Sequence, residues 1–287
     1  MKWRFLGAIG IVVAALLGLG ATAPSAVHAG FCYAYNGTVG FATGNVSCTA
    51  DPGNNFALVI GEDSTASADG GENNVAIVLG DSSNADTSGG SNNTVFVFGD
   101  FSSASTYSGD NNSAFVVGNE GRAKAGYGNN NTASARGHGS RATAYGNDNM
   151  ASVFGSGSEA GALGGSGNSA SIVGNSSYAE IDGGNDNTAS VVGHSSSARI
   201  FGGNGNTASV FGDSSYADTN DGGNDNTVTV FGNSSGASTY QGGGNTATVV
   251  GDGGRAKAGY GNDNAAWALA DGCTAIAYGG GEFTVCP

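Results

Sequence analysis

Two stretches of the chain, residues 122–128 and 255–261, share the sequence RAKAGYG and hold four of its nine Lys and Arg residues. In each stretch a single alanine separates two cations, which can form charge-assisted hydrogen bonds with acidic groups. A tyrosine follows, with a ring that can pack on a sugar and a polar hydroxyl. The candidate ligand-binding residues are therefore Arg122, Lys124, Tyr127, Arg255, Lys257 and Tyr260.

These six residues predict two equivalent docking points for an anionic polymer such as a surface glycan. The offset between the two stretches equals seven units of a sequence repeat that runs through the chain. At about 4.8 Å per repeat the docking points lie roughly 34 Å apart, so a second contact gains effective concentration. A simpler interpretation stays open, in which a duplication merely copied charges that relieve an acidic surface.

Catalytic chemistry finds little support in the sequence. His138 and His194 both stand in turn segments, and no Ser, Asp or Glu beside them forms a triad or acid pair that other repeats lack. We therefore expect no catalytic residues. Because polysaccharide-processing enzymes also use solenoid folds, a glycan-processing enzyme is kept as an alternative.

The acidic turns raise the question of calcium. The recurring GGNDN is similar to the GGxGxD nonapeptide of calcium-binding β-rolls, but Asp stands at its fourth position in place of Gly. Thr or Ser also stands where that motif has its ligand Asp. Stacked Asn and Asp side chains that hydrogen-bond along the turn explain the same residues, so we expect no metal site and no cofactor.

The four cysteines lie in pairs at the two ends of the repeats. In an extracellular chain an even number of cysteines implies disulfides. Of the three connectivities, we favour Cys32 with Cys48 and Cys273 with Cys286, each joining one end. A zinc site is the rival interpretation, but no histidine lies near either pair.

The N-terminal residues predict secretion. Lys2 and Arg4 precede an apolar run, and Val27, His28 and Ala29 resemble a signal-peptidase site, so residues 1–29 are a predicted signal peptide. Without them, seven basic residues face 23 acidic ones. This charge argues against a nucleic acid partner, and no later run is long enough to span a membrane.

A period of about 19 residues dominates the rest of the chain and indicates a tandem array. Small apolar and polar residues alternate over two segments of each repeat, positions 1–5 and 9–13 counted from an Asn at position 0, which is typical of β-strands. Gly, Asn and Asp fill the turns between them. Twelve repeats begin at Asn55, Asn74, Asn93, Asn112, Asn131, Asn149, Asn168, Asn187, Asn206, Asn226, Asn245 and Asn264.

Two strands of about five residues are not stable without further strands paired to them. Burying the few small apolar groups of one repeat stabilises it by only a few kcal/mol, whereas ordering the backbone of one repeat costs about 19 kcal/mol or more. Stacked repeats close that gap, so the sequence predicts an all-β fold, a flattened parallel β-solenoid of about twelve 19-residue coils. We expect an N-terminal cap over 30–54, coils over 55–281 and a cap strand over 282–287, with disulfides tying both caps.

The motif GxxSxA, as in residues 212–217, follows an N-[ST]-A-x-V strand and resembles the YadA-type head repeats of trimeric autotransporter adhesins. This resemblance covers residues 55 to about 281 and implies a left-handed parallel β-roll, adhesion and a trimer. The repeats of that family are shorter than those of this chain, and no coiled-coil stalk or membrane barrel follows here. The resemblance therefore leaves trimerisation and anchoring open.

The outward side chains of the first strand suggest two further uses. Thr and Ser at positions 1 and 3, as in Thr227 and Thr229, are similar to the faces of ice-binding solenoids, although Phe and other apolar residues interrupt them in the first coils. Position 5 forms an apolar stripe, interrupted by Arg136, that either points outward toward a partner or tucks inward. The stripe consists of Ile60, Leu79, Phe98, Val117, Phe154, Val173, Val192, Phe211, Phe231, Val250 and Leu269.

The sequence thus predicts a secreted, non-enzymatic solenoid that adheres at a cell surface or in the extracellular matrix. Its expected partners are an anionic surface glycan or another protein, and association into homo-oligomers follows if the stripe is exposed. An ice-binding protein and a glycan-processing enzyme are the alternatives.

Overall fold

The computed structural model describes residues 30–220 and 222–287, and the predicted signal peptide lies outside them. All of the regular structure in these residues is β-strand, arranged in two sheets. The 15-stranded sheet contains β1 (Phe31–Tyr35), β2 (Thr38–Thr43), β4 (Phe56–Ile60), β6 (Val75–Leu79), β8 (Thr94–Phe98), β10 (Ser113–Val117), β12 (Thr132–Arg136), β14 (Met150–Phe154), β16 (Ser169–Val173), β18 (Thr188–Val192), β20 (Thr207–Phe211), β22 (Thr227–Phe231), β24 (Thr246–Val250), β26 (Ala265–Ala268) and β28 (Phe283–Cys286). The 13-stranded sheet contains β3 (Ser47–Ala50), β5 (Thr65–Ala68), β7 (Asn84–Ser88), β9 (Ser103–Tyr107), β11 (Arg122–Gly126), β13 (Arg141–Asn147), β15 (Glu159–Ser166), β17 (Tyr178–Asp182), β19 (Ser197–Phe201), β21 (Tyr216–Thr219), β23 (Gly236–Tyr240), β25 (Arg255–Gly259) and β27 (Thr274–Tyr278).

From β2 onward, strands alternate between the two sheets along the chain, so each repeat is one coil of a solenoid. Within each sheet, every coil pairs in parallel with the same positions of the next, as Thr207 does with Thr227 and Ala198 with Ala217. The twelve coils run from β4 and β5 to β26 and β27, and β3 and β28 extend them to about thirteen turns. The predicted parallel β-solenoid is confirmed.

The core between the sheets is thin because its side chains are small. Positions 2 and 4 of the first strand face positions 11 and 13 of the second, and most of these residues are Ala or Val that are fully buried. Ala198 and Ala217 are examples, with no exposed surface. An alanine ladder of this kind lets two sheets approach closely, which makes the solenoid flat.

Two buried polar ladders bind successive coils together. The Oδ1 of Asn206 accepts the backbone N–H of Asn226 at 2.9 Å, and its Nδ2 donates to the carbonyl oxygens of Gly202 and Gly223 at 3.1 and 2.7 Å. The position 9 serines do the same on the other side, where Ser215 Oγ donates to a glycine carbonyl at 2.8 Å. Because these buried polar atoms find partners in the turn or the next coil, the side chains can lie inside without a large desolvation cost.

The turns follow the repeat as closely as the strands. Gly212 at position 6 has φ +154, and a Cβ on it would collide with the Gly232 carbonyl oxygen of the next coil. Two residues later Ser214 takes φ +55, a left-handed conformation that is uncommon for residues other than glycine. Glycine at position 6 is thus required by close stacking.

Both predicted disulfides are present. Cys32 on β1 is bonded to Cys48 on β3, and Cys273 is bonded to Cys286 on β28, each with Cα atoms 5.9 Å apart. Each bond joins the two sheets near one end of the solenoid. The bonded cysteines are 16 and 13 positions apart in the sequence, so both loops are short.

One detail differs from the sequence-based expectation, and a second was left unspecified by it. The second strand begins at position 10 and not at 9, because the position 9 serine closes the preceding turn with its side chain, as Ser215 does. The first strand of the chain, β1, runs antiparallel to both β2 and β4. In the 15-stranded sheet the N-terminal end is therefore a hairpin laid on the first coil, while β3 continues the 13-stranded sheet in parallel.

Candidate functional site

Arg122 and Lys124 lie on β11, on the outer face of the 13-stranded sheet. Alternation along the strand buries Ala123 and Ala125 and leaves both cations exposed. In the paired strands Arg122 lies between Ser103 and Arg141. Lys124 lies between Ser105 and Thr143. The strand thus presents two cations side by side to solvent.

The tyrosine of the motif reaches this face through a local change in the coil. Gly126 takes the place that Tyr107 and Tyr145 have in the adjacent strands. It has φ +149, and a Cβ there would collide with the Tyr107 carbonyl oxygen. The next residue, Tyr127, turns outward with φ +52 and remains 63% exposed.

Three tyrosine rings consequently form a row along the solenoid axis. The ring of Tyr127 is stacked on that of Tyr107 with centroids 5.4 Å apart, and it meets Tyr145 edge-on at 4.9 Å. Such stacked and perpendicular ring pairs are favourable geometries. We call Arg122, Lys124, Tyr107, Tyr127 and Tyr145 cluster 1.

The second copy of the motif builds the same arrangement. Tyr260, 58% exposed, stacks on Tyr240 at 5.9 Å and meets Tyr278 edge-on at 5.0 Å. Lys257 Nζ lies 6.0 Å from the centroid of Tyr240. We call Arg255, Lys257, Tyr240, Tyr260 and Tyr278 cluster 2.

The structure places the predicted residues of each motif on one sheet face, with the cations on the strand and the tyrosine just beyond its end, and adds two tyrosines to each row. In cluster 2, Lys257 also lies near a ring of the row. Tyr107, Tyr145, Tyr240 and Tyr278 all stand at position 14 of their coils, and they obey the same seven-repeat offset. The shared position 14 and the seven-repeat offset can both be seen in the sequence. The sequence-based prediction omitted these tyrosines because they lie in the flanking coils, outside the identical heptapeptides.

A serine hydroxyl contacts one tyrosine of each cluster, and burial raises the pKa of another. Ser105 Oγ lies 3.0 Å from the Tyr107 hydroxyl, and Ser238 Oγ lies 3.1 Å from that of Tyr240. Burial raises the pKa of Tyr145 to about 12, with further contributions from Tyr107 and Tyr127. Burial likewise raises the pKa of Tyr278. The phenols of Tyr145 and Tyr278 stay neutral at physiological pH and can donate hydrogen bonds.

The four cations of the clusters lack acidic partners among the described residues. There, an ion pair joins Arg141 to Glu159 at 3.9 Å, and His138 Nε2 lies 3.7 Å from a Glu120 carboxylate oxygen, both on exposed surface. The two clusters differ at one neighbouring position, because Arg141 follows Arg122 in register whereas Thr274 follows Arg255. Cluster 1 thus has a third cation beside it.

Between the clusters, the same sheet face carries acids. Glu180, Arg199 and Asp218 are paired in successive strands and form a ladder of alternating charge. The Arg199 guanidinium lies over the Tyr178 ring at 5.7 Å. Burial raises the pKa of Asp218 above its usual value, and the nearby Arg199 only partly opposes this.

The outer face of the 15-stranded sheet has a different character. Its strands contain no Asp or Glu, and Arg136 is their only charged residue. Most of the position 5 stripe is exposed, including Phe154, Phe211 and Phe231, so the outward alternative holds and the tucked one is wrong. Thr and Ser at positions 1 and 3 form in-register rows through coils that include β18, β20, β22 and β24.

The described histidines lie in the turns. His194 Nδ1 accepts the backbone N–H of Asn175 at 3.1 Å, in a ladder where Asp213 Oδ1 accepts the N–H of His194 at 2.7 Å. Turn carboxylates and amides serve as backbone acceptors in this way from coil to coil. Within residues 30–220 and 222–287, no three His, Cys, Asp or Glu side chains are grouped to hold a metal ion.

The described chain contains no helix of the length and apolarity that crossing a membrane needs. Comparison of the sequence with protein-family models and with curated proteins gives no match.

Proposed function

We propose that the protein is an extracellular, non-enzymatic β-solenoid that adheres to an acidic surface glycan through the outer face of its 13-stranded sheet. One observation carries this proposal. The same constellation of two unpaired cations and three tyrosines occurs twice on this face of the described chain, whose acids outnumber its bases.

An ordinary solvated surface does not require this arrangement. Two like charges on one strand face repel each other, and 23 acidic residues are at hand to pair with them. In both clusters Ser, Thr, Gly, Ile or another cation stands beside the basic pair in register. A carboxylate or sulfate from a ligand would complete the charge pairs, and the exposed edges of Tyr127 and Tyr260 offer phenol groups to sugar hydroxyls.

Three further features are consistent with an extracellular binding protein. The predicted signal peptide and the disulfides point to secretion, and the resemblance to YadA-type heads points to adhesion. That resemblance also suggests a homo-oligomer, for which the exposed position 5 stripe offers a surface. Left-handed coiling and trimeric assembly are part of the proposal.

Binding of residues 30–287 to immobilised hyaluronate, an acidic glycan with one carboxylate per disaccharide, tests the function. The variant with Arg122, Lys124, Arg255 and Lys257 all changed to Ser should bind at least about 10²-fold more weakly, because each lost charged hydrogen bond contributes about 1.5 kcal/mol or more. Arg136→Ser, an exposed cation on the opposite sheet, is the matched control and should bind like wild type. Undiminished binding by the fourfold variant would refute the proposal, as would a wild type that binds neither hyaluronate nor polygalacturonate.

Ice binding is a second candidate, favoured by the 15-stranded sheet. Its outer face is uncharged apart from Arg136, and the Thr and Ser rows repeat at the strand spacing of about 4.8 Å. Ice binding, as considered from the sequence, requires a regular array of hydroxyl and methyl groups of this kind. The apolar first coils shorten this array to the second half of the solenoid.

Thermal hysteresis of the purified protein tests this candidate. If the Thr rows bind ice, Thr207→Lys with Thr227→Lys should abolish hysteresis because two bulky cations interrupt the array. Thr143→Lys on the opposite sheet should leave it unchanged. A wild type without hysteresis or ice shaping rules the candidate out.

A further inference from the structure

We infer that the two clusters bind one and the same polymer chain, so that the protein is a bivalent receptor for long, sparsely charged acidic glycans. This inference rests on the proposed function. It concerns the length and charge density of the ligand, which the presence of a binding site alone does not fix.

The spacing of the clusters is fixed by the fold. Seven successive parallel strand pairs link β11 to β25 through β13, β15, β17, β19, β21 and β23, all in one hydrogen-bonded sheet. At about 4.8 Å per pair, the clusters lie roughly 34 Å apart along the axis. The corresponding residues of the two clusters occupy the same positions of their coils, so they face the same side.

The surface between the clusters argues for two separate contacts and not a continuous track. Glu159, Glu180 and Asp218 all lie on this face between β13 and β23. They outnumber the two arginines there, Arg141 and Arg199, so the stretch would repel a bound acid. A polymer with one carboxylate per disaccharide can place carboxylates at both clusters and sets only a few charges over this stretch. Nucleic acids carry a charge at least every few ångströms along the strand and therefore meet stronger repulsion there.

The arrangement predicts a gain from bivalency. Once one cluster is occupied, the second contact becomes intramolecular, which can raise affinity for a long chain by about 10²-fold or more over a fragment. Chains shorter than the separation of about 34 Å gain nothing, because they cannot reach both sites.

The two clusters differ at one neighbouring position, and this difference allows their affinities for a short fragment to be compared. Arg141 stands next to cluster 1, where cluster 2 has Thr274, and its pairing with Glu159 at 3.9 Å is on exposed surface. Because an exposed ion pair is weak, Arg141 is free to turn to a bound carboxylate, and we expect cluster 1 to bind a short fragment more tightly than cluster 2 does. Arg141→Thr makes the two surroundings alike at this position and should bring the two fragment affinities together.

The experiment compares a hyaluronate tetrasaccharide with long hyaluronate by calorimetry and competition. Wild type should bind two tetrasaccharide molecules, and Arg122→Ser with Lys124→Ser should reduce this to one. The same double change should weaken binding of the long polymer by about 10²-fold, down to the affinity of a single site. Changing Arg255 and Lys257 to Ser should have a parallel effect, and Arg136→Ser on the opposite sheet should have none.

The outcomes separate the two proposals. If wild type binds the fragment and the polymer equally well, or if a double change weakens both by the same factor, bivalency is wrong while glycan binding stands. If polygalacturonate or single-stranded DNA of equal contour length binds as tightly as long hyaluronate, the assignment to sparsely charged glycans is wrong. If neither hyaluronate nor polygalacturonate binds, the proposed function fails as well.

Discussion

At the scale of the residue, the protein is governed by how little room there is between its sheets. Ala198 has no exposed surface and lies in a ladder between Ala179 and Ala217. The two sheets are so close together at this position that only a side chain as small as alanine fits. A larger side chain has to displace a backbone that is hydrogen-bonded on both sides.

Ala198→Leu should therefore destabilise the protein although both residues are apolar. Three additional heavy atoms in a filled space cost about 1 to 3 kcal/mol or more, which lowers the melting temperature. Ser197→Leu, one residue earlier and on the outer face, is the control and should change it little. A melting temperature for Ala198→Leu equal to wild type would show that the layer is not close-packed.

Asp218 offers a test of a different residue-level effect. Its Oδ1 is buried without a hydrogen-bond partner, and burial raises its pKa despite Arg199. A carboxyl with a raised folded-state pKa stabilises the fold when protonated, and this stability is lost as pH rises above the unfolded-state pKa.

Asp218→Asn should accordingly raise the melting temperature at pH 7 because it removes a poorly solvated charge. The difference from wild type should shrink as pH falls below the usual range for aspartate, where the wild-type carboxyl is protonated. Thermal melts at a series of pH values measure this. A lower melting temperature at pH 7 would mean that the attraction to Arg199 outweighs burial.

At the scale of the element, most of the fold follows from period and pattern. Alternation in five-residue segments and glycine at position 6 are enough to predict two strands per coil and their in-register stacking. The antiparallel β1–β2 hairpin could not be predicted in this way, because residues 30–54 do not share the repeat and their pairing depends on the coil they cover. Nor could the start of the second strand, which the Ser215-type side chain sets by bonding in the turn.

Reduction of the two disulfides should weaken both ends. Each bond closes a short loop, and a loop of this size contributes about 3 kcal/mol. Since the terminal strands of a sheet have unpaired backbone groups that can template association, loosening them should also promote self-association. Melting and size distribution before and after complete reduction measure both effects, and no change in either would show that the bonds are dispensable.

At the scale of the whole molecule, charge is divided between the two faces. The 15-stranded sheet has no acid in any strand, so the acids of the described residues lie in the turns, the connections and the 13-stranded sheet. Two such acidic molecules can approach each other most easily with the uncharged faces together. The parallel Phe211 and Phe231 rings, 4.8 Å apart, lie in the apolar stripe of that face.

We therefore expect the mature protein to associate, and Phe211→Asp with Phe231→Asp to give monomers. Light scattering across a concentration series measures the mass of both forms. Tyr178→Asp with Tyr216→Asp on the opposite sheet is the control for added charge and should not dissociate the assembly. A wild type that is monomeric at all concentrations would rule out this use of the stripe.

Part of the candidate site could be predicted from the sequence, and part could be seen only in the stacked coils. The two heptapeptides and their seven-repeat offset were sufficient to predict two equivalent points on one face. The tyrosine rows could not be predicted in the same way, because Tyr127 stands one position later in its repeat than Tyr107 and Tyr145 do in theirs. Gly126 occupies the position in register with those two tyrosines. Only the stacked coils show that the shifted ring fits between the other two.

The direction of the strands also has a mechanical meaning. They lie across the long axis, and neighbouring coils are joined along that axis by the ladders of backbone and Asn hydrogen bonds. A load on the ends would open one coil at a time, and each opened coil would lengthen the chain by roughly 60 Å. A load along the axis would thus lengthen the molecule coil by coil and dissipate work at each step, before the whole solenoid is lost.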